Sequence, residues 1–262
     1  MFGISSLFSG SSGNCTYIES ENCGILIDAG VSMRRIFEKL SDIGREASVI
    51  KAIFVTHEHS DHILSVGSIA RKLKIPVYAT KNTWRAMYKS IGKIDKEYIK
   101  PVEIGEIIKI DDIEVSAFPV PHDAASPVGY TFSCEGRKCA IATDIGEMNE
   151  NVFLSICGCN TVLLESNHDV DMLLHGRYPY PLKQRIRGKK GHLSNEEAAI
   201  TCARLVSVGT HKILLGHLSE ENNKPDIALE TVSENVIKSG ARIPEDVYIA
   251  VAGDKAGELI KV

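Results

Sequence analysis

No stretch of this chain is apolar for long enough to cross a bilayer, which argues against a membrane role. The opening residues, MFGISSLFSGSSGN, lack the basic start and long apolar block of a secretory signal. The seven cysteines are odd in number and scattered, so a disulfide framework is not expected. Cys157 with Cys159, and Cys134 with Cys139, have spacings that metal sites use, but those spacings alone favour buried free thiols. A reducing cytoplasm fits these absences. Low-complexity tracts and linkers are missing too, which predicts one domain over residues 1–262. The net charge of −4 gives no global pull toward nucleic acid, so such a partner would have to be met by a local patch. What is present is ordinary: 24% charged and 44% hydrophobic residues, in a chain of 262 that is long enough for a full core.

Short strand-like runs alternate with helical ones. Residues 4–20 read as a strand broken by a Gly/Ser turn, and 23–30 as a strand ending at Asp28. The run 52–56 is a buried strand, followed from Asp61 by a helix with Ile63, Val66, Ala70 and Leu73 on one face. A strand at 76–80 precedes a short helix at 82–90. Hairpins are predicted at 107–120, turning at Asp111–Asp112, and at 129–145, turning at Glu135–Gly136. A strand covers 160–166, and the basic connection 176–190 reads as irregular. Ser194 with Glu197 forms a capping box for a helix to about Val206. Then come a strand at 211–216, a helix at 225–240 stopped by Gly240, and strands at 247–252 and 258–262.

Within this pattern, HEHSDH at residues 57–62 sets three histidines and an aspartate just past an apolar strand. Imidazole and carboxylate are the common ligands of divalent transition metals. His57 and His59 share a face of an extended segment, and a following helix turns Asp61 and His62 elsewhere, so one loop can serve two adjacent metal sites. Asp28, His122, Asp144, His168 and His217 also stand at or just past predicted strand ends, where side chains from packed sheets converge.

These residues, in this order, make the chain resemble the metallo-β-lactamase fold family. The resemblance implies an αββα four-layer sandwich, two mixed sheets flanked by helices, with metals in a groove at one edge. It implies a first metal on His57, His59 and His122, a second on Asp61, His62 and His217, and Asp144 bridging both. Asp28 matches a position that orients a ligand rather than binding metal. Two divalent ions are therefore expected; zinc suits the nitrogen-rich set and manganese is compatible.

The family hosts several chemistries, so the branch has to come from the residues. The segment 191–194, GHLS, resembles one in tRNA 3′-processing phosphodiesterases that carries the general acid, which makes His192 the candidate acid beside Asp61. SGSSGN at 9–14, LLESNHD at 163–169 and GHLSN most resemble the bacterial YycJ/WalJ group, associated with 5′→3′ exonuclease activity on DNA; phosphonate-pathway cyclic phosphodiesterases are close relatives. In that reading Asn167, His168 or Glu165 steers His192 or the phosphate. Within KQRIRGKK, residues 183–190, the cations Lys183, Arg185, Arg187, Lys189 and Lys190 are candidates for DNA phosphates, and Tyr178 and Tyr180 for base stacking. SGSSGN also offers amides and hydroxyls to a phosphate. The rival expectations are a phosphodiesterase for a small cyclic phosphate, which needs one or two cations rather than five, and a metal-binding regulatory protein without turnover.

Overall fold

The computed structural model describes residues 2–253 and 258–262. The first sheet contains β1 (Gly3–Phe8), β2 (Cys15–Glu19), β3 (Gly24–Ile27), β4 (Ile50–Phe54), β5 (Val77–Thr80) and β6 (Ile99–Val102). The second contains β7 (Ile107–Ile110), β8 (Ile113–Pro119), β9 (Val128–Cys134), β10 (Arg137–Ala142), β11 (Thr161–Glu165), β12 (Lys212–Gly216) and β13 (Tyr248–Val251). The last strand, β14 (Ile260–Lys261), returns to the first sheet beside β1. Strand order is β14-β1-β2-β3-β4-β5-β6 in one sheet and β13-β12-β11-β10-β9-β8-β7 in the other. Both sheets are mixed in the same way. Pairing is antiparallel up to β3 and up to β10, and parallel beyond them.

The helices are α1 (Met33–Asp42), α2 (Ser60–Ile63), α3 (Val66–Leu73), α4 (Lys81–Ile91), α5 (Glu150–Ile156), α6 (Val170–His175), α7 (Tyr180–Ile186), α8 (Asn195–Ser207) and α9 (Pro225–Lys238). Strand alternation sorts the apolar residues into three layers. Ala52 and Phe54 of β4 face the second sheet, with Ile113, Tyr130, Phe132, Leu163 and Leu214. Their neighbours Ile53 and Val55 face outward, against Ile36, Leu40, Ile69 and Met87 of the helices. Across the molecule Val162, Leu164, Ile213 and Leu215 pack on Ala198, Cys202, Leu205, Val232 and Val236. This is the expected αββα sandwich. At its centre Phe54 stacks on Tyr78, with ring centroids 4.5 Å apart, and meets Tyr130 and Phe132 edge-on. Burial of one such ring contributes about 1.5–3 kcal/mol.

The structure differs from the sequence reading in three places. The expected helix from Asp61 is two, because Ser65 donates its N–H to Ala29 O (2.8 Å) instead of continuing the first turn. The basic connection is not irregular: α7 forms within it, entered through Pro179 and Pro181, whose fixed φ suits a helix start. Helix α1 is an element beyond those expected, with Ile36 and Leu40 as its buried face. The hairpins, the capping box at Ser194 and the helix ending before Gly240 follow expectation.

Three segments are stitched together by their backbones where β3 and β4 end. Asn14 N donates to Asp61 O, Gly30 N to Asn14 O, and Ala29 N to His62 O, each at 2.8 Å. Gly30 is the tightest point, since a Cβ there would lie 1.6 Å from Asp61 O and 2.7 Å from Asn14 N. Gly30→Ala must therefore push the 57–62 loop away, at a cost of ~1–3 kcal/mol. The expected outcome is a folded protein with a lower melting temperature and reduced divalent-metal content, read by calorimetry and elemental analysis. Wild-type values of both would refute the stitching.

Candidate metal centre and acid

Each chemical side chain reaches one cleft from the end of a strand. Asp28 follows β3, His57 to His62 follow β4, and His122, Asp144, His168 and His217 follow β8, β10, β11 and β12. Asp28, Asp144 and His217 adopt left-handed backbone conformations, with φ of 59°, 58° and 56°. That conformation costs a non-glycine residue of order 1 kcal/mol, and here it turns the side chain sharply off the strand into the cleft.

The loop is held from beneath. Thr56 donates its N–H and its hydroxyl to the two oxygens of the buried Asp28 carboxylate, both at 2.8 Å. His62 Nδ1 also lies 2.8 Å from Asp28, and His57 Nδ1 is 3.0 Å from Thr56 Oγ1. On the facing sheet His122 Nδ1 donates to Gly191 O (3.1 Å), and His217 Nδ1 to Glu165 Oε1 (2.9 Å). Engaging one ring nitrogen fixes which other nitrogen faces the cleft. The cleft-facing atoms crowd together. His57 Nε2 is 3.0 Å from His59 Nδ1, and Asp144 lies 3.4 Å from His62 Nε2, 3.5 Å from His217 Nε2 and 3.8 Å from His122 Nε2. Asp61 is 3.5 Å from His62 Nε2 and 3.9 Å from His217 Nε2.

Four groups of possible ligand atoms, each within 4.8 Å, result: His57 with His59 and His122; Asp61 with His62 and His217; His57 with His62 and Asp144; and Asp144 with Glu165, His192 and His217. His122 Nε2, His217 Nε2 and Asp144 Oδ2 are buried with no hydrogen-bond partner among the described residues. An orphaned buried polar atom costs ~1–3 kcal/mol, so three on one point demand an occupant. Nitrogen and carboxylate donors fit a divalent transition ion there. Every residue expected as a ligand is in the cleft.

The electrostatics agree. Burial would raise Asp144, but His217, His62 and His57 outweigh it and hold the carboxyl well below its usual range. Burial alone would lower His62; Asp144 and Asp28 prevail and hold it at about 10. His217 is raised for the same reason, by Asp144, Asp61 and Glu165 against burial. His57 goes down through burial and the charge of His62.

His192, 18% exposed in its side chain, stands at the cleft edge with Nδ1 2.8 Å from Glu165 Oε1. Glu165 is fully buried and does more than the sequence suggested. One oxygen takes both His192 and His217; the other takes the N–H of Ile145 (2.7 Å) and Leu193 (3.2 Å). Burial would raise its carboxyl, yet His192 and His217 bring it down to about 2. A charged residue ending the apolar run 161–164 was the available signal. Asn14 and Thr56 carried none, being common turn residues. Asn167 braces His217 by donating to its carbonyl (2.8 Å), while His168 is buried beside the His192 segment.

The basic segment is partly spent on structure. Lys183 Nζ donates to Leu174 O (2.7 Å) and Gly176 O (2.8 Å), closing the end of α6. Arg185 pairs with Asp123 at 2.5 Å and Lys189 with Glu147 at 3.4 Å. Arg187 and Lys190 are exposed, and neither side chain makes an ion pair or hydrogen bond among the described residues. Tyr180 is 73% exposed. The 9–14 turn is likewise occupied: Gly10 N donates to Asn14 Oδ1, Gly13 N to Gly10 O, and Ser9 Oγ accepts from His217 N. All seven cysteines are free thiols, and none joins a ligand group.

A family model described as a β-lactamase superfamily domain matches residues 24–217. The chain is 40% identical over 242 residues to an exodeoxyribonuclease YycJ of Bacillus anthracis, covering 92% of each chain. It is 39% identical over 247 residues to an exodeoxyribonuclease WalJ of Streptococcus pneumoniae, covering 94% of this chain and 92% of the other. Zinc-bound PqqB from Methylobacterium extorquens superposes with a TM-score of 0.72 at 14% identity, over 99% of this chain and 100% of that one. With the sandwich and the strand-end cluster in place, the chain belongs to the β-lactamase superfamily, as a metal-dependent hydrolase of the metallo-β-lactamase fold.

Proposed function

We propose that this hydrolase is a two-metal phosphodiesterase that removes nucleotides from the 5′ end of DNA. The observation that carries this reading is the pairing of His192 with Glu165 beside two adjoining ligand triads. His57, His59 and His122 would hold one ion, Asp61, His62 and His217 the other, with Asp144 shared; zinc suits the nitrogen-rich set and manganese is compatible. Ions bound there would lower the pKa of water to supply the nucleophile and would neutralise charge on the attacked phosphate. Asp28 orients His62 from behind, as Glu165 does His217. With Nδ1 on Glu165, His192 holds its transferable proton on Nε2 and delivers it to the departing sugar oxygen. The similarity to two exodeoxyribonucleases over nearly the full chain supports DNA as substrate. Free thiols are compatible with a cytoplasmic setting. A second reading, a small cyclic phosphodiester as substrate, gains from the basic segment, where, among the described residues, two of the five cations lack partners.

Three outcomes are expected. End-labelled single-stranded DNA with Zn²⁺ or Mn²⁺ should shorten from its 5′ end; His192→Ala should keep its metal and lose ~10²–10⁴-fold in rate. Hydrolysis of bis-nitrophenyl phosphate, whose leaving group needs no proton, should suffer much less. Equal losses on both substrates would remove His192 from the acid role.

Metal loading should depend on pH. His62 and His217 bind protons more tightly in the metal-free protein than a free imidazole does, so an entering ion must displace them. Apparent affinity should therefore rise with pH across the neutral range, by about tenfold per unit for each proton released. Calorimetric zinc titration in two buffers of different ionisation enthalpy measures the release; pH-independent binding between pH 6 and 8 (roughly the range where displacement should show) would contradict it.

Salt separates the two substrate readings. If Arg187 and Lys190 touch backbone phosphates, replacing both by Ala should flatten the log–log salt slope of DNA binding by about 1.4–1.8. Measured on catalytically dead, metal-free protein, an unchanged slope would favour the small substrate.

A further inference from the structure

His168 is 2% exposed, and neither of its ring nitrogens has a hydrogen-bond partner among the described residues. Its Nδ1 is fully shielded. It has no place in the four ligand groups described above, so an ion does not account for it. Its backbone lies alongside the segment that carries His192: Asn167 N donates to Leu193 O, Asn195 N to His168 O, and His168 bridges to Ser194. On the other flank, His192 N donates to Ile186 O (2.9 Å), which places the next residue, Arg187, at the same border. His192 thus stands between a buried imidazole without a partner and an exposed guanidinium without a counter-ion. Burial above all, with the charges of His192 and Arg187, brings His168 down to about 4 against Glu165 and Asp169, so it would meet an anion as a neutral N–H donor beside the Arg187 cation.

The neighbouring carboxylates are already occupied. Glu165 is saturated by two imidazoles and two backbone N–H groups, and Asp169 accepts from Met172 N at the start of α6. The clamps Arg185–Asp123 and Lys189–Glu147 fix the segment on both sides of Arg187. An anion on the acid's side of the cleft would therefore meet two unsatisfied groups of the right kind.

We propose that His168 and Arg187 hold the 5′-terminal phosphate of the DNA strand, one nucleotide beyond the bond that is cut. This rests on the nuclease reading above. In that reaction the oxygen of water forms the new bond to phosphorus, the P–O3′ bond breaks, and O3′ takes the proton from His192 Nε2. The departing group is the terminal nucleotide, so its own 5′ phosphate lies on the side of the acid. The shortened strand keeps the attacked phosphate as its new 5′ end, and each cut regenerates the group that the pocket reads. A site one nucleotide deep also makes the enzyme count from an end rather than cut internally.

The test compares kcat/KM for two single-stranded oligonucleotides of one sequence, with a 5′ phosphate or a 5′ hydroxyl. The wild type should favour the phosphate by about tenfold or more, the worth of a charge-assisted hydrogen bond. Arg187→Ala, a surface change, and His168→Asn should each bring the ratio toward one. Arg187→Ala keeps the test decisive if the buried substitution fails to fold. A wild-type ratio of one with both strands cleaved, or a ratio unchanged in Arg187→Ala, overturns the pocket alone. Cleavage of neither strand by metal-loaded wild type would overturn the nuclease reading itself.

Discussion

The apolar layer between the two sheets is the constraint on which the cleft depends. Four of the seven expected ligands come from the loop after β4, and His122, Asp144 and His217 come from strand ends of the opposite sheet. Their separation is set by how Phe54, Tyr130, Phe132, Leu163 and Leu214 fill the space between. Close-packed interiors resist small displacements, so a core of this kind works as a spacer for the donor atoms above it. The backbone stitching at Gly30 transmits that spacing to the loop itself.

Above the core, the cleft is a problem in charge balance. Asp61, Asp144 and Glu165 are wholly or largely buried, which would be untenable beside neutral surroundings. His62 and His217 offset it by holding protons more tightly, whereas burial works against protons on His57 and His122; a divalent ion would offset the same charge. Glu165 links the two halves of the chemistry, since one oxygen steadies both a ligand-type histidine and the candidate acid. Any change in the charge of one is felt by the other through that atom.

The donor cluster was legible because residue type is itself the signal: imidazoles and carboxylates placed at strand ends have few other uses. The sandwich was implied by the resemblance to the fold family, while the strands β4, β11 and β12 were visible in the sequence as short apolar runs. The basic segment was less legible. Its charges were countable in the sequence, but the partners of Arg185 and Lys189 lie 62 and 42 residues away. Only folding reveals that these cations hold the segment down. Helix α7 was hidden by two prolines that usually announce a break and here mark an entry. Glu165 lay in view at the end of β11, yet its double attachment is a tertiary fact.

The two aspartates at the switch from antiparallel to parallel pairing, Asp28 after β3 and Asp144 after β10, share one backbone conformation, and His217 adopts it too. Glycine would adopt it without strain, by of order 1 kcal/mol per position. The most comfortable backbone for this fold is therefore one without these three side chains. Selection for a sturdier molecule and selection for a working one pull in opposite directions at the same three codons. A lineage relieved of the reaction would drift toward glycine there and lose its cleft while its sandwich tightened.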